Sequence, residues 1–364
     1  MKIVIKVGTS TLTDKEGLLN KKYIADFAAA VSEMAKNGHD IIIVSSGAIG
    51  AGLGHLRQKT KPKTLREKQA LAAIGQPLVM NAYNEAFAEY GITAAQLLLT
   101  RDDFDSRTKY INARNTMSEL VEKKIIPIIN ENDTIAVEEI NFGDNDTLGA
   151  LAALAVDADT LIILTDVDGL YDGFGGGSGG KLIGKVENIT EEIESLASSK
   201  SSSGKGAGGM KTKITAAKIA SASGINTIII NGMKLKLLKD IIERKEVGTE
   251  FAAGKKPLEA KKSWIAFGKK AKGYVFVDKK AAEALTSRGK SLLAAGVTGV
   301  CGNFKRGDTV IVAEKDTKKD FARGLINYGC EDMLKIKGKN TKEIKKIITA
   351  GEDEVIHRDN LVIL

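Results

Sequence analysis

The sequence predicts an α/β protein: an open, mainly parallel sheet held in an αβα sandwich, followed by a small β-rich module. Three observations predict it. Through the first 250 residues, short β-branched runs alternate with amphipathic helical patterns, which is how repeated βα units read. Those runs are nearly all apolar, as strands covered on both faces must be. The charge balance then changes: residues 1–254 carry 30 Lys and Arg against 32 Asp and Glu, whereas residues 255–364 carry 24 against 14. A net charge of −2 gives way to one of +10, so two domains are expected, at 1–254 and 263–364, with a linker over 255–262.

The elements follow in order. Apolar runs predict strands at 3–7, 41–44, 125–129, 161–164 and 225–230. Between the first two, Ile24, Phe27, Ala28, Val31, Met34 and Ala35 recur at helical spacing, and Gly38 supplies a stop, so the spacing predicts a helix over 21–36. Residues 115–126 read as an ordinary helix and strand. Around 245–262 the pattern dissolves into Gly, Lys and Pro257 with no sustained period. Beyond it, runs at 264–267, 273–277 and 309–312 predict shorter strands broken by Gly turns, and 279–288 predicts a helix. Residues 173–180 and 198–209 are rich in Gly and Ser and are expected to form loops outside the core.

Composition narrows the function. The chain has 364 residues, 43% of them apolar, which is ample for two cores. Cys301 and Cys330 lie far apart and His39, His55 and His357 are scattered, so neither a disulfide framework nor a protein metal site is expected. The opening MKIVIKVGTS has no long apolar region of a secretory signal, and no stretch approaches a membrane span of about 20 residues, so a cytoplasmic location is expected.

In open parallel sheets ligands bind beyond the carboxyl ends of the strands. Gly8-Thr9-Ser10 follows the first predicted strand, with Lys6 at its end. Ser45-Ser46-Gly47 opens a Gly-rich turn after the second; Asn130-Glu131-Asn132-Asp133 follows the third, and Thr165-Asp166 the next. Steric need and capping explain any one such turn. Four together suit an anion such as phosphate, held by backbone N–H groups and helix N-termini. Residues 175–181 match GxxxxGK, yet Leu182 stands where a magnesium-binding Ser or Thr is needed and no strand or helix frames the segment. The glycines at 47, 50, 52 and 54 do not form GxGxxG. Nucleotide binding, if present, uses another arrangement.

Two further segments carry chemistry. Asp144-Asn145-Asp146 precedes an Ala-rich helix expected over 148–156; capping needs one of the three, and the others are free to hold an amino group, a magnesium ion or lysines. Gly206-Ala207-Gly208-Gly209-Met210-Lys211-Thr212-Lys213 runs into a helix expected over 214–222. It reads equally as an anion cradle or as a flexible linker with a solvated lysine.

With those residues in hand, the chain resembles the amino-acid kinase family, in the branch that phosphorylates the side-chain carboxylate of glutamate. The likeness rests on VIKVGTS (4–10), IVSSGAIGAG (43–52), NENDTIAVEE (130–139), GDNDTL (143–148), LTDVDGLYD (164–172) and GAGGMKTK (206–213). GVTGVCGNFKRGD (296–308) and VIHRDNL (355–361) resemble the PUA domain appended to many members. The resemblance implies ATP and Mg2+ as cofactors and L-glutamate as substrate. It implies that Lys6 and Lys213 contact the transferred phosphoryl group and that Asp144 and Asp146 position the site and its lysines. Ser46, Asp133 and Asn145 are implied to bind glutamate; Gly8, Thr165, Asp166 and 207–213 (Ala207, Gly208, Gly209, Met210, Lys211, Thr212, Lys213) the nucleotide. It also implies a homo-oligomer and hand-off of the product to glutamate-5-semialdehyde dehydrogenase in proline biosynthesis. A carboxylate nucleophile is already ionised at pH 7, so the scarcity of histidine fits.

Two alternatives stand beside this reading. Another member of the family, acting on a different acid, shares Lys6 and the Gly-rich turns but not NENDTIAVEE, GDNDTL or the PUA-like tail. An RNA-binding protein would use the basic C-terminal module, whose aromatics form no recognisable stacking motif.

Overall fold

A computed structural model describes every residue except 15–17, 59, 137–144, 174–179, 198–208, 256 and 349–351. The chain divides into two compact units, Met1–Pro257 and Leu258–Leu364.

The first unit is built on eight strands: β1 (Lys2–Val7), β2 (Asp40–Val44), β3 (Ala94–Leu99), β4 (Ile126–Glu131), β5 (Thr160–Thr165), β6 (Lys185–Val186), β7 (Asn226–Asn231) and β8 (Thr249–Phe251). They lie in the order β3-β4-β2-β1-β5-β7-β8-β6. The first six in that row are mutually parallel, while β8 runs antiparallel to β7 and parallel to β6. The register places Lys6 beside Val44 on one side and Ile163 on the other, so all three strand ends reach one edge together.

Alternation within each strand sends successive side chains to opposite faces. Ile3, Ile5 and Val7 of β1, with Ile41, Ile43, Ile162 and Leu164, join one core with helices Lys21–Lys36 and Leu65–Ala88. Its centre is a chain of aromatic contacts, Tyr23 to Phe27 to Tyr83 to Phe87, with ring centroids 6.3 to 6.4 Å apart. Val4 and Lys6 face the other way, toward helix Asn145–Ala155, where Gly149 lies against the Lys6 stem. Helices Arg107–Glu122 and Met210–Ala222 complete that second layer. The expected three-layer αβα arrangement is the one observed.

Helix Ala48–His55, which opens from Gly47 at φ +90°, meets helix Leu65–Ala88 backbone to backbone. A Cβ on Gly75 would fall 1.8 Å from the Ala48 carbonyl oxygen, and one on Gly52 would fall 2.1 Å from that of Leu71. Only glycine allows this approach. It fixes the long helix against the turn that follows β2.

The second unit carries β9 (Ala271–Val277), β10 (Val297–Gly302), β11 (Thr309–Glu314), β12 (Asp320–Leu325) and β13 (Leu361–Ile363), ordered β10-β9-β11-β12-β13. Val275, Val277, Val310, Val312, Phe304 and Met333 form its core. Helix Lys279–Arg288 matches its expected span; Asp278 caps it by accepting from Ala281 N at 2.7 Å, and Gly289 ends it at φ +57°. One expectation fails. Residues 264–267, expected as a strand, form a π-helical turn, Trp264–Gly268, continuing helix Ala260–Ser263. A four-residue apolar run cannot by periodicity separate a strand from a buried helical turn, and here Trp264 and Ile265 are buried in the helical one. Among the described residues no helix is long and apolar enough to cross a membrane.

Candidate active site

The carboxyl edge of the sheet gathers two polar clusters around one helix start. Helix Asn145–Ala155 begins earlier than the hydrophobic spacing predicts, so Asn145 and Asp146 lie in its first turn. The helix-start geometry sends their side chains to different partners.

Asp146 is fully buried and collects cations. Lys6 Nζ, from the end of β1, lies 2.6 Å from its Oδ1, and Lys213 Nζ lies 3.0 Å from its Oδ2. Thr212 Oγ1 donates to the same Oδ2 at 2.9 Å. Lys213 and Thr212 arrive because helix Met210–Ala222 starts at Met210, four residues before the expected 214, with Gly209 as its N-cap in extended conformation. The reading of Lys213 as a solvated lysine is overturned: it is buried, as is Lys6. Charged groups are rarely buried without close pairing, and here two ammonium groups converge on one carboxylate.

Asn145 collects neutral partners. Its Nδ2 donates to Ser45 O at 2.5 Å, to Asn130 Oδ1 at 2.8 Å and to Ser46 Oγ at 3.1 Å. Asn130 Nδ2 donates in turn to Gln76 Oε1 at 2.7 Å, and Ser45 Oγ to the Tyr83 hydroxyl at 3.2 Å. Gln76 and Tyr83 both come from helix Leu65–Ala88. Burial pushes the Tyr83 hydroxyl well above its ordinary range, so it stays protonated.

The other expected residues fall as follows. Thr165 ends β5 and donates to the exposed Asp166 at 3.2 Å. Gly8 sits beside that strand end; a Cβ there would lie 3.4 Å from Leu164 O. Met210 is half-buried and Lys211 exposed. Asp133 lies in the turn after β4, where burial raises its carboxyl to about 6. No hydrogen bond or ion pair ties Asp133 to the other site residues among those described. Asp144, Ala207 and Gly208 lie outside the described residues, as does most of each Gly- and Ser-rich stretch. Sequence reasoning missed Gln76 and Tyr83, and noted Asn130 only as part of a strand end. A mid-helix Gln has no motif around it; the one clue was the neighbouring Gly75, whose close approach shows only in three dimensions.

Comparison with known proteins identifies relatives of both units. A model of the amino acid kinase family matches residues 1–231, and a PUA domain model matches residues 273–348. The chain is 49% identical to a glutamate 5-kinase of Thermoanaerobacter sp. (strain X514), covering 100% of this chain and 98% of the relative. It is 43% identical to a glutamate 5-kinase of Moorella thermoacetica, covering 100% and 96%. Among solved structures, carbamate kinase from Giardia lamblia bound to AMP-PNP aligns with a TM-score of 0.51 at 17% identity, over 69% of this chain and 98% of that one. That likeness speaks for the fold. The family model over most of the first unit and the full-length relatives lead to one conclusion: the chain belongs to the amino acid kinase family.

Proposed function

We propose that this chain transfers the γ-phosphoryl group of ATP to the γ-carboxylate of L-glutamate, forming L-glutamyl 5-phosphate and ADP, the first step of proline biosynthesis. The observation that carries the reading is the convergence of Lys6 and Lys213 on buried Asp146, one residue from the Asn145–Ser46 cluster. The full-length likeness to glutamate 5-kinases supports the substrate.

Glutamate binds through Ser46, Asn145 and Asp133. Among the described residues no cation pairs with Asp133, which suits it to the α-ammonium group. ATP lies along Gly8, Thr165-Asp166 and 207–213, its phosphates directed at the N-terminus of helix Met210–Ala222, whose dipole favours anions. The attacking carboxylate needs no general base. Catalysis then consists of holding donor and acceptor in line and neutralising charge on the equatorial oxygens of the phosphoryl group. Lys6 and Lys213 meet that charge, while Asp146, itself held by the Thr212 hydroxyl, keeps the ammonium groups in place. Asp144 is assigned the same positioning role from its place in GDNDTL.

Mg2+ would be held mainly by the nucleotide's phosphates and water and would ask few ligands of the protein. Asp146 is engaged by lysines, whereas Asp166, exposed at the end of β5, would be placed to meet that hydrated ion, which would supply charge neutralisation at the phosphates. The catalytic domain is assigned to 1–254, the linker to 255–262 and the PUA-like domain to 263–364. An acyl phosphate hydrolyses readily, so prompt consumption by glutamate-5-semialdehyde dehydrogenase, in the cytoplasm, fits the chemistry. A homo-oligomer belongs to the same proposal.

The test is to incubate the purified full chain with ATP, magnesium and L-glutamate and trap the acyl phosphate with hydroxylamine, beside aspartate and N-acetylglutamate. Glutamate-dependent hydroxamate, lost in Lys213→Ala, is expected. Hydroxamate with another acid only would overturn the substrate, and none with any acid would overturn the reaction.

A further inference from the structure

We infer that Gln76 is a positioning residue that holds Asn130, and through it the Asn145 amide, in the place where the substrate meets it; this rests on the glutamate site proposed above. An amide's oxygen and nitrogen are alike in shape, so hydrogen bonds decide its orientation. Here the deciding bonds are to backbone groups with fixed roles.

The Glu131 backbone N–H can only donate, so the Asn130 atom 2.9 Å from it is Oδ1. Asn130 Nδ2 then points at Gln76, which has to present Oε1 at 2.7 Å. The same Asn130 Oδ1 accepts from Asn145 Nδ2 at 2.8 Å, and the Ser45 carbonyl, which can only accept, takes that nitrogen at 2.5 Å. Among the described residues all of Asn145's side-chain bonds engage Nδ2, so its Oδ1 is the side that faces the ligand. An acceptor there suits an ammonium group. Turned over, Asn145 would offer N–H groups to a cation.

Gln76 is well built for holding this order. It is buried, and its helix cannot slide, because Gly75 already lies against the Ala48 carbonyl and the Gly52 amide. The acceptor at Gln76 is therefore held still against Asn130, which passes the constraint to Asn145. The plain alternative is that Gln76 only satisfies a buried amide. The two differ in what they do to substrate choice: only the positioning role makes recognition of the α-ammonium group depend on residue 76.

The experiment compares Gln76→Met, which keeps the length and removes the acceptor, with Gln76→Glu, which keeps an acceptor. Each is assayed by steady-state kinetics with glutamate and with glutarate, which is glutamate without its amino group, and by thermal melting. Losing one buried hydrogen bond that acts on binding should raise the glutamate KM of Gln76→Met about tenfold, leave the ATP KM within about twofold and narrow the preference for glutamate over glutarate by about tenfold. Gln76→Glu should retain most of that preference. A folded Gln76→Met with unchanged glutamate KM and unchanged preference would overturn the inference, as would equal loss of preference in both variants. Wild-type protein that makes no glutamate hydroxamate in the same assay would instead overturn the reading beneath it.

Discussion

Asn145 and Asp146 are neighbours in one helical turn, yet their surroundings differ in kind. Asp146 is met by two ammonium groups and a hydroxyl, Asn145 by one amide, a hydroxyl and a backbone carbonyl. Charge concentrated in a buried place gives strong, nearly undirected attraction, suited to a phosphoryl group that is about to carry more charge. A chain of neutral amides gives little attraction but fixed direction, suited to reading a substrate's orientation. The helix start lets one turn of chain serve both tasks.

The charged cluster should break first. Asp146→Asn leaves two buried lysines with a neutral partner, and breaking a buried ion pair in this way costs about 3–5 kcal/mol, to be read by chemical denaturation. Next is the backbone contact beneath the neutral cluster. Gly75→Ala places a methyl group 1.8 Å from the Ala48 carbonyl oxygen, so the two helices have to separate. A loss of about 1–3 kcal/mol is expected, together with a raised glutamate KM.

Acid separates the clusters in another way. The Asp133 carboxyl titrates at about 6 in the free protein, above its unfolded value of about 3.9. Its folded form therefore binds the proton more tightly, and this group's contribution to stability grows as pH falls from 6 toward 4. Glutamate binding needs the ionised form, so kcat/KM for glutamate should drop about tenfold per unit below pH 6, and Asp133→Asn should lose that limb of the profile. A limb that persists in the variant would show that another group is responsible. The smallest expected effect is Ser46→Ala, which removes one 3.1 Å acceptor of the three at Asn145 Nδ2 and should raise glutamate KM about threefold.

What was legible in the sequence follows the same division. Lys6, Ser46, Asn145, Asp146, Thr212 and Lys213 sit at strand ends or helix starts, where topology alone directs attention, and the structure joins them. The αβα sheet was legible because β1, β2, β4 and β5 are buried on both faces and read, with the Ile228–Ile230 stretch of β7, as apolar runs. The strand β3, with the half-buried sequence Ala-Ala-Gln-Leu-Leu-Leu, and the short β6 and β8 gave no such run. Gln76 and Tyr83 were hidden because a helix interior shows its period but not which polar side chain turns inward. In the second unit, Trp264 lies in a segment too short for its period to be read.

The claim that neighbouring residues divide binding from phosphoryl transfer is tested most directly by comparing Lys213→Met with Asn145→Ala in the hydroxamate assay. Removing a cation that acts chiefly on the transition state should lower kcat about 10²–10³-fold in Lys213→Met with glutamate KM within about threefold. Asn145→Ala should do the reverse, raising glutamate KM at least about tenfold with a much smaller change in kcat. Parallel losses of kcat and KM in both variants would contradict the account, because the two clusters would then be acting as one.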